Sequence, residues 1–401
     1  MKPAFHPWLH ALILLSLLTL PCCNLQFPLE ATSGGYRFDR RGQTANRHEE
    51  GEISPEIEHI LLTHQFGDIR IEATDDGPSW SWDLTCWAST QETAEHFAKQ
   101  IQMQTDQQAG EGGWTLVLPE PPVPELRGVE SNLTLHVPAT VDVEVSNGFG
   151  QTEIVGVRGG TLVRCRHGKL HLANLGGELD AATSFASLSA EQIPGGKLAN
   201  QHGSIRATDV GGDLHVESEF KDIEVRRVSG SLVARNAHGK ITAEGVEQGA
   251  DVRTSFNSIE LGEVEGEVLV RNRHGDIFAS DLHGNVDLEN EYGDVELVID
   301  AGEVRCRNRF GRVTLSLTGS QPAVVRAETA FDDIQVNVFG AAEPKIEART
   351  KYGRIQSQYP VYTLDTGSDN FEGLPADTTR LTLVNKHGDI RIDKVKDAAD
   401  R

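Results

Sequence analysis

The chain is poor in the residues that build a thick globular core. Of its 401 residues only 6% are aromatic and 2 are methionine, whereas 40 are glycine. Many glycines and few large side chains are typical of short strands joined by tight turns. The length is compatible with about two or three compact domains or with one long repeat structure.

Positive charge is also scarce. The chain has 37 Lys and Arg residues against 60 Asp and Glu residues, which gives a net charge of −23. Such a surface repels nucleic acid and anionic lipid headgroups, so neither is an expected partner. The sequence also lacks a nucleophile elbow, a phosphate-binding loop, zinc-ligand spacing and a calcium-binding nonapeptide repeat. We therefore predict no catalytic residue, no cofactor and no metal site.

Cysteine is rare as well, and its number does not suggest a disulfide framework. Beyond the N-terminus only Cys86, Cys165 and Cys306 remain. If the repeat described below is one turn of a stack, Cys165 and Cys306 lie about eight turns apart. At ~4.8 Å per turn that is roughly 38 Å, far beyond the reach of a disulfide. We expect buried thiols.

Long hydrophobic runs are absent apart from the N-terminus. There, Lys2 precedes the apolar run Ala11–Leu20, which is too short for a membrane span and is typical of a signal-peptide core. The run continues into Pro21, Cys22 and Cys23, which resembles a bacterial lipoprotein signal, with Cys23 the favoured lipidation site and Cys22 the alternative. Ordinary secretion and a retained anchor are the other interpretations. All of them place the mature chain outside the cytoplasm.

What the chain does contain is a repeat of eighteen residues, with a single step of seventeen. A ring residue recurs at each step, and an aliphatic residue follows it three positions later. The ring residues are His167, Phe185, His202, Phe220, His238, Phe256, His274, Tyr292 and Phe310. The same pattern, at wider spacing, includes Phe66, Phe149, Phe331, Tyr352 and His387, which makes fourteen units in all. A fixed period indicates units that stack on their neighbours.

The positions inside each unit indicate strands. Counted from the ring residue as position zero, aliphatic residues occupy −6, −4, +3 and +5, which is the spacing of a buried strand face. Glycine is frequent at +1, where a corner is expected. We predict an all-β fold, a single-stranded β-solenoid (β-helix) of ~18-residue turns. The alternation of His with aromatic residues leaves a 36-residue turn as the alternative.

Position −2 is polar although it has the parity of the buried face. Such a residue needs hydrogen bonds, and we expect it to bond its equivalents in the turns above and below, as asparagine ladders do.

The domain boundaries follow from where the repeat pattern begins and ends. We predict a signal peptide over 1–23, a flexible tether over 24–52, a first turn with an N-terminal cap over 53–140, the repeat array over 141–395 and a tail over 396–401.

The capping insertion holds the one expected helix, near residues 89–108, with Ser89 or Thr90 as its N-cap. Four tryptophans lie close together in this region. We expect them to pack within the cap, and a ligand-binding aromatic patch is the alternative. They are Trp80, Trp82, Trp87 and Trp114.

The segments VRNRHGDIFASDLHGNVDLENEYGDVEL and LVNKHGDIRI, together with the export signal, resemble a bacterial family of candidate adhesins made of β-strand repeats, the domain of unknown function 4097. The resemblance covers roughly residues 55–395. It implies an extracytoplasmic β-solenoid and supplies no catalytic residues.

Three surface features are candidate sites. Asp276 and Asp294 share position +2, with Arg312 next, and could bind calcium or perform acid–base chemistry; a solvated charge ladder is the alternative. The histidines at position zero suggest a metal or a stacked corner. Arginines at position −3 suggest a stripe for an acidic partner or ion pairs with nearby glutamates. The outward positions show no aromatic row for stacking sugars.

We therefore expect a non-catalytic envelope protein, anchored to the membrane by lipid, with an adhesin-like or scaffold surface for an unknown envelope or extracellular macromolecule. A polysaccharide-active β-helix enzyme is the second hypothesis, and an envelope-sensing signalling component is the third.

Overall fold

The computed structural model describes residues 41–108, 110–117, 126–318, 321–340, 343–363, 375 and 378–395. The predicted signal peptide 1–23, with Cys22 and Cys23, lies outside these residues, as does the tail 396–401. Contacts divide the chain into two compact units. The described parts of the smaller unit fall within Met1–Glu49, Asp83–Met103 and Leu116–Ser131, and the larger unit contains the rest.

Nearly all regular structure is β. In chain order, with the helix α1 (Gln91–Gln100) between the fourth and fifth strands, the strands are β1 (Gln43–Glu52), β2 (His59–Phe66), β3 (Ile69–Ala73), β4 (Ser79–Ala88), β5 (Gln102–Gln108), β6 (Glu111–Val117), β7 (Leu126–Val137), β8 (Asp142–Phe149), β9 (Thr152–Val155), β10 (Thr161–His167), β11 (Leu170–Ala173), β12 (Leu179–Thr183), β13 (Leu188–Ile193), β14 (Gly196–Asn200), β15 (Ile205–Val210), β16 (Leu214–Ser218), β17 (Ile223–Val228), β18 (Leu232–Asn236), β19 (Ile241–Val246), β20 (Ala250–Thr254), β21 (Ile259–Glu265), β22 (Val268–His274), β23 (Ile277–His283), β24 (Val286–Tyr292), β25 (Val295–Ile299), β26 (Gly302–Phe310), β27 (Val313–Leu317), β28 (Ala323–Thr329), β29 (Ile334–Phe339), β30 (Lys345–Thr350), β31 (Ile355–Ser357), β32 (Val361–Thr363), β33 (Arg380–Asn385) and β34 (Ile390–Val395).

The larger unit is a β-solenoid. From β8 to β29 the even-numbered strands form one parallel sheet, sheet one, and the odd-numbered strands form another, sheet two. Ile241 pairs with Ile259, and Ile259 with Ile277, so equivalent residues of successive repeats are neighbours. All three are at most 1% exposed and form one buried file. The predicted β-solenoid is confirmed, and this register gives 18 residues per turn rather than 36.

From β9 to β23 the second strand of each turn ends in a bulge that changes which residues are buried, whereas β25, β27 and β29 keep the regular alternation. Positions +3 and +5 are buried, and so is +8, which has the opposite parity; in β15 these are Ile205, Ala207 and Val210. Position +7 adopts a left-handed conformation, and Asp209 has φ 57°. Such a residue adds one step to the strand and lets +8 point inward. Five more non-glycine residues do the same in their turns: Asn174, Gln192, Arg227, Glu263 and Asp281.

Apart from a hydrogen bond between His64 and Asn147 in the first two turns, the asparagines at position −2 bond the corner backbone and not one another, so the expected continuous ladder of equivalents is wrong. Asn236 Nδ2 donates to the carbonyl oxygen of Lys221 in the preceding turn at 2.8 Å, and its Oδ1 accepts the N–H of Gly239 at 3.1 Å. Asn200 contacts Ala186 and Gly203 in the same way. These side chains therefore satisfy buried polar groups that a tight corner leaves open.

Both ends of the solenoid are interleaved. The N-terminal coil (β2 and β3, 59–73) pairs on one side with β6 and β7 and on the other with β8 and β9. The C-terminal coil (β33 and β34, 380–395) lies between β28 and β29 on one side and β30 and β31 on the other. The spatial order of the turns therefore differs from the chain order at each end.

The smaller unit contains the only α-helix among the described residues. Thr90 caps α1 by accepting the N–H of Thr93, and Ala94, Phe97 and Ala98 form its buried side. Arg47 Nη1 donates to the carbonyl oxygen of Ile101 at 2.9 Å, just after the helix.

Two predicted boundaries differ from the structure. The helix ends at Gln100 and not near 108, because 102–108 form β5 with only Met103 buried. Residues 43–52, assigned to the tether, form β1, which buries only Ala45 and so lacks the apolar alternation that indicates a strand.

The three described cysteines are free thiols and are buried, as expected. Burial raises the pKa of Cys306 to about 12. It raises the pKa of Cys165 to about 11, although a hydrogen bond with Thr152 acts in the opposite direction. These thiols therefore stay protonated and unreactive at neutral pH.

Candidate functional site

The predicted acidic residues form hydrogen bonds between successive turns, at the corner after position zero. Asp276 Oδ1 accepts the backbone N–H of Asp294 at 2.8 Å. Asp294 Oδ1 in turn accepts the backbone N–H of Arg312 at 2.8 Å. The two carboxylates therefore each hold the next turn and do not converge on a common point.

The same contact recurs wherever aspartate occupies position +2, which indicates a structural role. Asp222 accepts from the N–H of Lys240 at 2.9 Å. At the C-terminal end, Asp333 accepts from Asp389 at 2.7 Å, and Asp389 accepts from Arg354 at 2.8 Å. This chain of contacts follows the interleaved spatial order of the turns, not their order in the sequence.

Replacing Asp294 with alanine is expected to lower the free energy of unfolding by about 0.5–1 kcal/mol, because the N–H of Arg312 loses its acceptor at an exposed corner. Urea unfolding measures the change. Asp294→Asn is the matched control, because it keeps an acceptor oxygen, and it should remain near wild type. An unchanged unfolding midpoint for Asp294→Ala would show that this hydrogen bond contributes no stability.

The histidines at position zero belong to one continuous stack of rings, which we call the ring column. It contains all fourteen predicted ring residues. Neighbouring ring centroids lie 4.4 to 5.3 Å apart, with interplanar angles of 4° to 16°. The order is Phe66, Phe149, His167, Phe185, His202, Phe220, His238, Phe256, His274, Tyr292, Phe310, Phe331, His387 and Tyr352.

This geometry favours the stacked corner over the metal site. An imidazole such as His238 lies between the rings of Phe220 and Phe256, at 5.2 and 4.9 Å, so no second histidine is its neighbour. Within the described ranges, no three or more His, Cys, Asp or Glu side chains come together as metal ligands would. For His167, burial and the neighbouring Arg166 lower the pKa below its ordinary value.

The ring column also forms the outward aromatic row that the sequence did not reveal. Six of its rings are 39% to 64% exposed: Phe185, Phe220, Phe256, Tyr292, Phe331 and Tyr352. The ring faces contact one another, so solvent reaches mainly the ring edges. Sugars stack on ring faces. The row therefore provides an apolar strip rather than a sugar-stacking platform.

The arginines at position −3 form ion pairs, which agrees with the second interpretation of that stripe. Arg164 pairs with Asp180 at 2.7 Å, and Arg253 pairs with Asp251 at 2.8 Å. The other arginines contact acidic side chains of sheet one as well: Arg235 with Glu217, and Arg271 and Arg307 each with Asp287 and Glu289. Pairs of this exposure contribute little stability but cancel charge.

Two further features bear on ligand binding. Trp82 and Trp114 are fully buried, which agrees with packing, whereas Trp80 and Trp87 are half-buried. A shallow hollow of about 360 Å³ opens on sheet one beside Glu217, Arg235 and Arg253. Since these charges pair with acidic partners, the hollow offers no free cation to an anionic ligand.

Turns of eighteen residues, two parallel sheets and a ring column define a β-solenoid repeat protein. The sequence profile of the Toastrack DUF4097 family matches residues 57–372, and the chain belongs to that family. The resemblance recognised from the repeat segments is thereby confirmed. Comparison with curated proteins yields no match.

Among solved structures, a candidate cell adhesion protein from Clostridium sporogenes is 10% identical, with 88% of this chain and 100% of that chain covered and a TM-score of 0.18. A candidate lipid-binding protein from Parabacteroides distasonis is 13% identical, with 88% and 97% covered and a TM-score of 0.20. A candidate adhesin from the same organism is 8% identical, with 88% and 98% covered and a TM-score of 0.17. Likenesses of this size give no basis for transferring a function.

No helix within the described ranges is both long enough and apolar enough to span a bilayer.

Proposed function

We propose that the protein is a non-catalytic binding scaffold of the bacterial cell envelope. In this proposal the chain is exported, held at a membrane by a lipid on Cys23, and presents the outward faces of its two sheets to an envelope or extracellular macromolecule. The net charge of −23 makes nucleic acid an unfavourable partner.

The observation that carries the proposal is the regular outer surface of the solenoid. On sheet two, Arg206, Glu224, Thr242 and Glu260 are in register in four successive turns and point away from the core. Arg206 and Glu224 form an ion pair at 2.7 Å. A surface that places a polar side chain at the same position in each turn suits an extended partner, since many weak contacts can form along one line.

The arrangement of the acidic residues gives little support to the enzyme alternative. Hydrolysis of a glycosidic bond needs two carboxyl groups that flank one bond. Asp276 and Asp294 instead each accept a backbone N–H from the following turn, at an exposed corner.

Site-specific photo-crosslinking in intact cells tests the proposal. A photoreactive residue at Thr242 probes the outward face of sheet two, and one at Val233 probes that of sheet one. We expect one class of macromolecule to be captured from one face, and the same class from the equivalent position one turn away. Release of sugars from envelope glycans by the purified protein, lost in Asp294→Ala, would overturn the proposal in favour of an enzyme.

The anchor is tested separately. Cys23→Ser is expected to move the protein from the membrane fraction to the soluble fraction, because the thiol that accepts the lipid is removed. Cys22→Ser is the matched control and should stay with the membrane. If the two variants fractionate alike, Cys23 is not the lipidated residue.

A further inference from the structure

The ring column presents an unusually long apolar strip to solvent. An aromatic side chain has roughly 150–250 Å² of surface, so a half-exposed ring leaves about 100 Å² in water. Six such rings therefore present roughly 600 Å² in total, in a row where histidine separates most of them, and the largest apolar patch on a typical monomer is roughly 300–600 Å². A strip of this size indicates an interaction surface.

The spacing of the strip restricts its partner. The rings follow one another at 4.4 to 5.3 Å along a rigid stack, and only their edges are free. A partner that contacts every ring must present groups at the same spacing, apolar opposite the phenylalanines and polar opposite the histidines that alternate with them. A second ring column has this spacing by construction, so its ring edges can lie against these ring edges over many turns.

The charges beside the strip do not oppose such an approach. Glu291, at position −1 next to Tyr292, pairs with Arg273 and Arg309 on the turns before and after it, at 3.3 Å each. In the preceding turns, Gln201 donates to Glu219 at 3.2 Å. Arg273 and Arg309 balance the charge of Glu291, and Gln201 bonds Glu219 without neutralising it. The border therefore carries charges of both signs, which two copies can bring together although each chain carries a net charge of −23.

The area of the strip also agrees with a second copy of this chain as the partner. Two strips of roughly 600 Å² bury about 1,200 Å² together, the lower limit for a specific protein–protein interface. We infer that the ring column is the contact surface of a homodimer, in which a second copy of this chain docks its own ring column side by side with the first. The contact is independent of what the outward faces of the two sheets bind.

Histidine substitution gives a test that preserves the stack, because histidine already alternates with phenylalanine in this column. Phe185→His, Phe220→His and Phe256→His together replace apolar ring edges with polar ones. Sedimentation equilibrium at pH 8 should show a concentration-dependent dimer for the wild type. The dimer Kd of the triple variant should rise at least about 100-fold, with an unchanged circular dichroism spectrum.

The reverse change is the matched control. His238→Phe adds an apolar edge in the centre of the strip and should lower the dimer Kd. A wild-type chain that stays monomeric at about 100 μM, or a dimer whose Kd is the same in the triple variant, would overturn the inference.

Discussion

Replacing Gly311 with alanine is expected to lower the free energy of unfolding by about 2–5 kcal/mol. Gly311 has φ +128°, a conformation that side chains disfavour, and a Cβ atom there would overlap the carbonyl oxygen of Gly293 in the preceding turn. The backbone strain contributes about 1–2 kcal/mol and the overlap about 1–3 kcal/mol. Thermal and urea unfolding measure the loss.

Gly262→Ala is the matched control. A Cβ at Gly262 meets no atom within 4 Å, and this residue does not have a positive φ. Alanine there should leave stability unchanged or raise it by about 0.4–1 kcal/mol, through the lower entropy of the unfolded chain. Equal stabilities for the Gly311 and Gly262 variants would contradict the close approach of successive turns at the corner.

Acid is expected to destabilise the protein through His64. This side chain is 2% exposed at position −2 of the N-terminal coil, and burial lowers its pKa from 6.5 to about 4, although a hydrogen bond with Asn147 acts the other way. Between pH 6.5 and pH 4 the unfolded chain therefore binds a proton that the folded chain does not. The contribution of neutral His64 to stability is complete above pH 6.5, and about 3 kcal/mol of it is lost as the pH falls to 4.

His64→Asn isolates this contribution, because asparagine occupies the same position in other turns, as at Asn147. From pH 7.5 to pH 4 the wild type should lose about 3 kcal/mol more unfolding free energy than the variant. Subtracting one pH profile of unfolding free energy from the other cancels the contribution of the carboxylates, which both proteins share. Parallel profiles for the two proteins would show that His64 is not buried in its neutral form.

The core of the fold could be predicted from the sequence because every turn repeats the same pattern of buried positions. The spacing of eighteen residues places Ile241, Ile259 and Ile277 in register, and their exposure of at most 1% confirms the predicted file. The ring column follows from the same period. Side chains one turn apart must touch wherever the repeat is regular.

The ends could not be predicted because their spacing is irregular. From Phe310 the ring residues continue at Phe331, Tyr352 and His387, at steps of 21, 21 and 35 residues. Parallel strands of the same apolar pattern pair equally well in several orders, so nothing local places His387 between the other two rings. That order emerges only from the packed structure.

The surface chemistry was predictable only in part. The sequence predicted a corner at position +1 and a charged row at +2, but a carboxylate that accepts a backbone N–H and one that performs chemistry look alike in a sequence. Asp276 and Asp294 are distinguished only by the hydrogen bonds they make. The exposure of rings such as Phe256 was likewise hidden, because a stacked ring is buried on its faces and open at its edge.

The interleaved ends bear on how this protein would respond to a pulling force. A strand at the edge of a sheet peels away one hydrogen bond at a time, whereas a strand with neighbours on both sides must break two ladders together. Tension applied across the solenoid reaches its N-terminal coil at β2 and its C-terminal coil at β34, and each of these strands is bonded along both edges. Unzipping from the ends is thereby blocked, and resistance to tension depends on the rate of unfolding more than on equilibrium stability.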